Sequence, residues 1–153
     1  MSEFEDAFVI NSTACFYALL AFLPLLDARN SSEKSLTRET RIKSQFIATS
    51  SIGTFSRRPG MGFAYAASKA AVIHMVKQMA MYLAPYHVRC NTFCPGIYPS
   101  VMSQEMMGTA DLTKEGTILQ DIVPATRVGT EEDVAGAMLF LAVAPVSGIV
   151  RAI

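Results

Sequence analysis

The 153-residue sequence carries no excess of charge: thirteen lysines and arginines offset thirteen aspartates and glutamates. Without a basic patch or stripe there is no electrostatic footprint for nucleic acid or an anionic membrane, so a small molecule or another protein is the expected partner. Metal-ligating side chains are scarce as well. Cys15, Cys90 and Cys94 form no CxxC pair, and only His74 and His87 could join them; no metal is expected from so thin a donor set, and both histidines read as structural or surface residues. The odd thiol count reads instead as buried free cysteines in a reducing, cytoplasmic compartment. Charged residues amount to 17% against 51% hydrophobic, which excludes disorder for most of the chain and supplies the core of one domain.

One stretch, AFVINSTACFYALLAFLPLL at residues 7–26, is apolar enough to raise a targeting or membrane segment. It follows Glu3, Glu5 and Asp6 where a signal peptide has basic residues, carries Asn11, Ser12 and Thr13, and has Pro24 near its end, so a membrane role is disfavoured. A helix over residues 4–26 fits better. Being apolar almost all round, it is expected to be buried in a core or against a partner subunit, which leaves Asn11 as a polar residue needing an explanation. Residues 27–45, DARNSSEKSLTRETRIKSQ, mix charges without an apolar period and read as an exposed loop.

FIATSS (46–51) is a short strand ending in hydroxyl residues, followed by a glycine- and proline-punctuated loop over 52–62. Val72, Ile73, Val76, Met79, Ala80 and Leu83 recur at helical spacing, predicting a helix over 63–83 that Pro85 stops. VRCNTFC (88–94) is the next strand, ended by Pro95 and Gly96. Residues 97–123 are methionine-rich and broken by Pro99, Gly108 and Gly116, the pattern of a substrate flap. Thr130 as N-cap, Asp133 at the capping-box position and three acids in the first turn predict a helix over 131–142, and SGIVRAI begins a final strand. Strands alternating with long helices indicate an α/β fold with a parallel sheet, whose reactive groups belong at the carboxyl ends of the strands. Ser50/Ser51 and Pro95/Gly96 stand there.

Tyr65 and Lys69 are four residues apart, so on a helix they share one face. The spacing alone admits either a proton-transfer pair or two solvated side chains. In company with NST (11–13), TSSIG (49–53), YAASK (65–69), VRCNTFCPG (88–96) and TRVGTEEDVAGAMLFL (126–141), however, the chain resembles the short-chain dehydrogenase/reductase family over nearly its whole length and in the family's order.

The resemblance implies an oxidoreductase moving hydride between NAD or NADP and a small-molecule carbonyl or secondary alcohol. Tyr65 would be the general acid/base. A free phenol with a pKa of about 10 needs a neighbouring cation to act at neutral pH, and Lys69 would supply it while holding the nicotinamide ribose. Ser51 would hold the substrate oxygen, with Ser50 as the alternate because the interval to Tyr65 is one residue longer than usual. Asn11 would hold a water linking Lys69 to solvent. Pro95, Gly96 and Ile97 match the turn that lies against the nicotinamide, and Ser100 stands where threonine is usual. The flap, with Met102, Met106 and Met107, would cover an apolar or bulky substrate. GIYPSVMSQEM is similar to a fungal-type branch that also shares features with ketoacyl reductases, although Val101 replaces an acid, and this points toward a ketide-like or polyol substrate.

The family's glycine-rich TGxxxGxG turn is not in this sequence. Residue 1 onward corresponds to the family's fourth helix, so the implied fold is a truncated, partial Rossmann-like one: a doubly wound parallel sheet in three layers, forming one incomplete domain over residues 1–153. Open sheet edges and the family's habit of pairing helices 4–26 and 63–83 between subunits lead to an expected homo-oligomer. The competing expectation is a non-catalytic remnant serving as a dimerisation module.

Overall fold

A computed structural model describes residues 2–31, 43–57, 59–108 and 110–143. The expected final strand, and residues 32–42 of the expected loop, lie outside them. The chain divides into two compact units, Met1–Cys94 with Ala142–Ile153, and Pro95–Leu141.

In the first unit, Ser2 opens α1 (Glu3–Phe8) with a capping box. Its hydroxyl accepts from the Glu5 N–H at 3.3 Å, while the Glu5 carboxylate accepts from the Ser2 N–H at 2.8 Å. A single wide π-type turn, Val9–Thr13, leads without interruption into α2 (Ala14–Ser31). The resulting 29-residue helix is long and apolar enough, by length and composition alone, to cross a membrane.

Of the two expected modes of burial, the one in the chain's own core is corrected: there, only Leu19 and Asn30 of α2 are buried. A helix apolar on every side has one stripe to give to its own chain, here Cys15, Leu19, Leu23 and Leu26. Phe16, Tyr17, Leu20, Phe22 and Leu25 are left exposed. The helix also runs past residue 26, so residues 27–31 are helical and not loop, and Pro24 lies inside it. Its end is tied down by Asn30, whose Nδ2 donates to the Tyr86 carbonyl at 2.9 Å and whose Oδ1 accepts from the Ser44 N–H at 3.0 Å.

Strands β1 (Gln45–Thr49) and β2 (Arg89–Phe93) are parallel, in register from Gln45 opposite Arg89 to Thr49 opposite Phe93. Parallel neighbours need a crossover, and α3 (Phe63–Tyr82) provides it. Gly62, at φ 76°, takes the left-handed turn into α3 that a side chain would resist. Ala64, Ser68, Val72, Val76 and Met79 form its buried stripe. Ala48 and Cys90 turn from the strands into the same core as Leu19, Val72, Val76, Met79, Leu83 and Val88. Val76 and Val72 are 0% and 1% exposed, each stabilising the unit by about 1.5–3 kcal/mol. The parallel α/β arrangement agrees with the sequence reading, while β1 starts one residue earlier and stops two earlier than the expected 46–51, β2 is one residue shorter at each end than 88–94, and α3 ends at Tyr82.

In the second unit, α4 (Val101–Met107) gives the expected flap one short helix. The predicted helix near the C-terminus is α5 (Glu131–Val143). Gly129, in the VGTEED segment, donates its N–H to the Ile97 carbonyl at 2.9 Å, and a Cβ there would run into the Tyr98 ring. Asp133 locks the start of α5. Its carboxylate takes Arg127 at 2.7 Å and the Thr130 N–H at 2.9 Å, and the Arg127 guanidinium, then the Thr130 amide, hold its pKa down to about 2.

An aspartate is about 3.9 in an unfolded chain, so this depressed group stabilises above that value and loses its effect as pH falls through about 2. Wild type and Asp133→Asn, compared by urea unfolding, are expected to differ at neutral pH and to converge in acid. A gap that persists unchanged to the lowest pH would place its cause outside this ion pair.

Candidate active site

The ladder of β1 runs one bond beyond the strand, the Ser50 N–H donating to the Phe93 carbonyl at 2.7 Å. This places Ser50 and Ser51 at the strand's carboxyl end, both buried. Their hydroxyls are used differently. Ser50 Oγ donates to the Lys69 carbonyl at 2.7 Å, so its single proton is committed. Ser51 Oγ accepts from the Gly53 N–H at 3.0 Å, capping the short turn Ile52–Thr54, and among the described residues its proton has no acceptor.

Lys69 Nζ lies 5.9 Å from the centroid of the Tyr65 ring and donates to the Thr49 carbonyl at 3.1 Å. One α-helical turn joins the two residues, as their spacing predicts. Burial pulls the Lys69 amine below its ordinary pKa, and the charge that Cys15 carries once ionised opposes that shift. Burial likewise pushes the Cys15 and Cys94 thiols up, and Cys90 to about 11. The three cysteines are free.

Asn11 stands in the π-type turn. Its Nδ2 donates to Ser68 Oγ at 3.0 Å, Ser68 Oγ donates to the Tyr65 carbonyl at 2.9 Å, and Ser12 Oγ donates to the Ser68 carbonyl at 2.8 Å. Asn11 thus reaches the Tyr65 backbone through Ser68, and Ser50 bonds separately to the Lys69 backbone, with Ser51 next in the chain. Ser12 and Ser68 escape a reading that stops at Asn11, Tyr65 and Lys69. The signal for Ser68 is its place as the polar member of an otherwise apolar stripe.

Pro95, Gly96, Ile97 and Ser100 belong to the second unit. The Ile97 carbonyl accepts from Gly129. The Ser100 hydroxyl caps α4, accepting from the Ser103 N–H at 3.1 Å. The same unit has a recess of about 110 Å³ bordered by Pro99, Ser103, Asp111 and Leu112.

A strand–helix–strand crossover with hydroxyls at the strand end and a tyrosine–lysine pair on the crossover helix defines an α/β protein of Rossmann-like build. The family model described as enoyl-(acyl carrier protein) reductase matches residues 1–152. Among curated fungal proteins, the short-chain dehydrogenase/reductase PhomF of Diaporthe leptostromiformis is 40% identical over 141 residues, covering 92% of this chain and 46% of the relative. The short-chain dehydrogenase/reductase SAT3 of Stachybotrys chartarum is 34% identical over 148 residues, covering 92% and 55%.

Among solved structures, the Pseudomonas aeruginosa RhlG/NADP active-site complex superposes with a TM-score of 0.74 at 26% identity, over 94% of this chain and 52% of that one. A 3-oxoacyl-[acyl-carrier protein] reductase with bound NAD from Brucella melitensis has a TM-score of 0.69 at 23% identity, over 99% and 50%, a likeness of fold. This chain belongs to the short-chain dehydrogenase/reductase family. It spans about half the length of the curated relatives it matches.

The residues present fit a nicotinamide nucleotide. The Lys69 ammonium has three donors, one of which goes to the Thr49 carbonyl, and such a group suits the hydroxyls of a nucleotide ribose.

Proposed function

We propose that this chain carries the catalytic residues of an NAD(P)(H)-dependent oxidoreductase that interconverts a carbonyl and a secondary alcohol. The observation that carries the reading is the Lys69 ammonium 5.9 Å from the Tyr65 ring centroid, with one of its donors on the Thr49 carbonyl. Tyr65 gives a proton to the substrate oxygen on reduction and takes it back on oxidation. Lys69 places its positive charge beside the Tyr65 ring and donates to the cofactor ribose. Ser51 is favoured over Ser50 for holding the substrate oxygen, because only Ser51 has a hydroxyl proton uncommitted to Lys69. The nicotinamide, when bound, supplies or accepts the hydride.

Asn11 holds a water leading from Lys69 to solvent. Pro95, Gly96, Ile97 and Ser100 border the nicotinamide, and residues 97–123 cover an apolar or bulky, ketide-like or polyol substrate. The free thiols support a reducing, cytoplasmic setting.

The test is a titration of NADPH, then NADH, into the folded 153-residue chain, followed by nicotinamide emission. Saturable enhancement in the micromolar range is expected, and the stronger of the two responses names the cofactor. A flat titration on a folded sample sinks the catalytic reading.

A second reading, a dimerisation module without turnover, is favoured by the apolar side chains that the helices leave outward: Phe16, Tyr17, Leu20 and Phe22 on α2, and Tyr82, 80% exposed, on α3. Self-association through these helices is compatible with either reading. A sedimenting dimer that binds no cofactor singles out the second.

A further inference from the structure

Ser68 is 0% exposed and stands between Ala64 and Val72 on the stripe of α3 that packs into the core. A serine there has no packing advantage over alanine, and it is held by three hydrogen bonds. Two of these come from consecutive residues, Asn11 to its hydroxyl and Ser12 to its carbonyl. On a regular α-helix, neighbours in sequence do not face one partner. Here they do so from the wide turn Val9–Thr13, a distortion that recurs at functional sites.

We propose that Ser68 is a positioning residue for proton transfer, acting through Asn11 and through the backbone of the Tyr65–Lys69 turn. The inference rests on the catalytic reading given above. Ser68 spends its one proton on the Tyr65 carbonyl, so it can only accept from Asn11. Asn11 must therefore present its NH2 group to Ser68, which leaves Oδ1 as the acceptor its side chain offers elsewhere. Ser68 thus fixes the orientation of the Asn11 carboxamide within the π-type turn.

The carbonyls of Ser68 and Lys69 take donors from two different elements, the π-type turn through Ser12 and the end of β1 through Ser50. The turn from which the phenol and the ammonium both project is clamped between them. Reacting groups displaced by about 1 Å can lose up to about a hundredfold in rate.

The experiment compares wild type, Ser68→Ala, Asn11→Ala and the double variant, with Ser68→Cys as the conservative replacement. Ser68→Ala is expected to lower kcat by about tenfold with little change in cofactor affinity or in the urea midpoint. The double variant is expected to fall no further than the lower single variant, because the two residues act as one unit, and Ser68→Cys is expected to recover part of the loss. A signature independent of turnover is the side-chain NH2 of Asn11, assigned by 15N NMR, which should exchange faster with solvent in Ser68→Ala.

Additive losses, losses that track the urea midpoint, or an Asn11 amide indifferent to Ser68 each overturn the proposal while leaving the catalytic reading in place. A wild-type chain that protects the Asn11 amide yet shows neither cofactor binding nor turnover overturns the catalytic reading itself, and the positioning role with it.

Discussion

Replacing Tyr65 with phenylalanine is expected to slow NAD(P)H-dependent carbonyl reduction by about a hundred- to ten-thousand-fold, the span over which general acid catalysis acts. The phenyl ring keeps its place 5.9 Å from Lys69 Nζ and loses only the hydroxyl. Cofactor affinity should therefore stay near the wild-type value, and the loss should fall on kcat. The decay of nicotinamide absorbance under saturating substrate measures it directly. Ser51→Ala belongs to the same series with a smaller loss, and it separates the two serines. If Ser51 holds the substrate oxygen, its removal weakens turnover at unchanged cofactor binding, whereas Ser50→Ala frees the Lys69 carbonyl and disturbs the placement of α3. A Tyr65→Phe variant that turns over at the wild-type rate would move the proton donor elsewhere and leave the Tyr65–Lys69 pair as a structural contact.

Leu19→Ala is expected to destabilise the first unit by about 2–5 kcal/mol, the range for removing a buried leucine side chain. Leu19 is 2% exposed and is the buried apolar anchor of α2 in the core. Leu20, its neighbour in sequence, is 44% exposed, and Leu20→Ala should change stability by no more than about 0.5 kcal/mol. Urea unfolding of the two variants separates one-stripe packing from the all-round burial suggested by the composition of α2. Equal losses at the two positions would mean that the outward face of α2 is also covered in solution, and concentration dependence of the Leu20→Ala midpoint would then point to a second copy.

Local signals in the sequence carried much of the fold. The period of α3, the stops at Pro85 and Pro95, and the Thr130/Asp133 start of α5 are short-range features, and those elements lie where the sequence places them. The family's motif order names Asn11, Ser51, Tyr65 and Lys69 as the candidate site. What the sequence concealed depends on partners far away along the chain. Pro24 reads as a stop, yet α2 continues to Ser31, with Asn30 bonded to Tyr86, 56 residues away. A run that is apolar on every side cannot show which stripe its own core will take. Ser68 looks like an ordinary small residue in an alanine-rich helix until Asn11, 57 residues earlier, is seen donating to it.

Asn30 joins the end of α2, the approach to β1 and the turn ahead of β2 through opposite ends of one carboxamide. Hydrolysis of that amide would leave a carboxylate with acceptors only, facing the Tyr86 carbonyl across a gap that was a hydrogen bond. A covalent change in that one side chain, needing no other chain or ligand, would set two oxygens against each other where three segments meet.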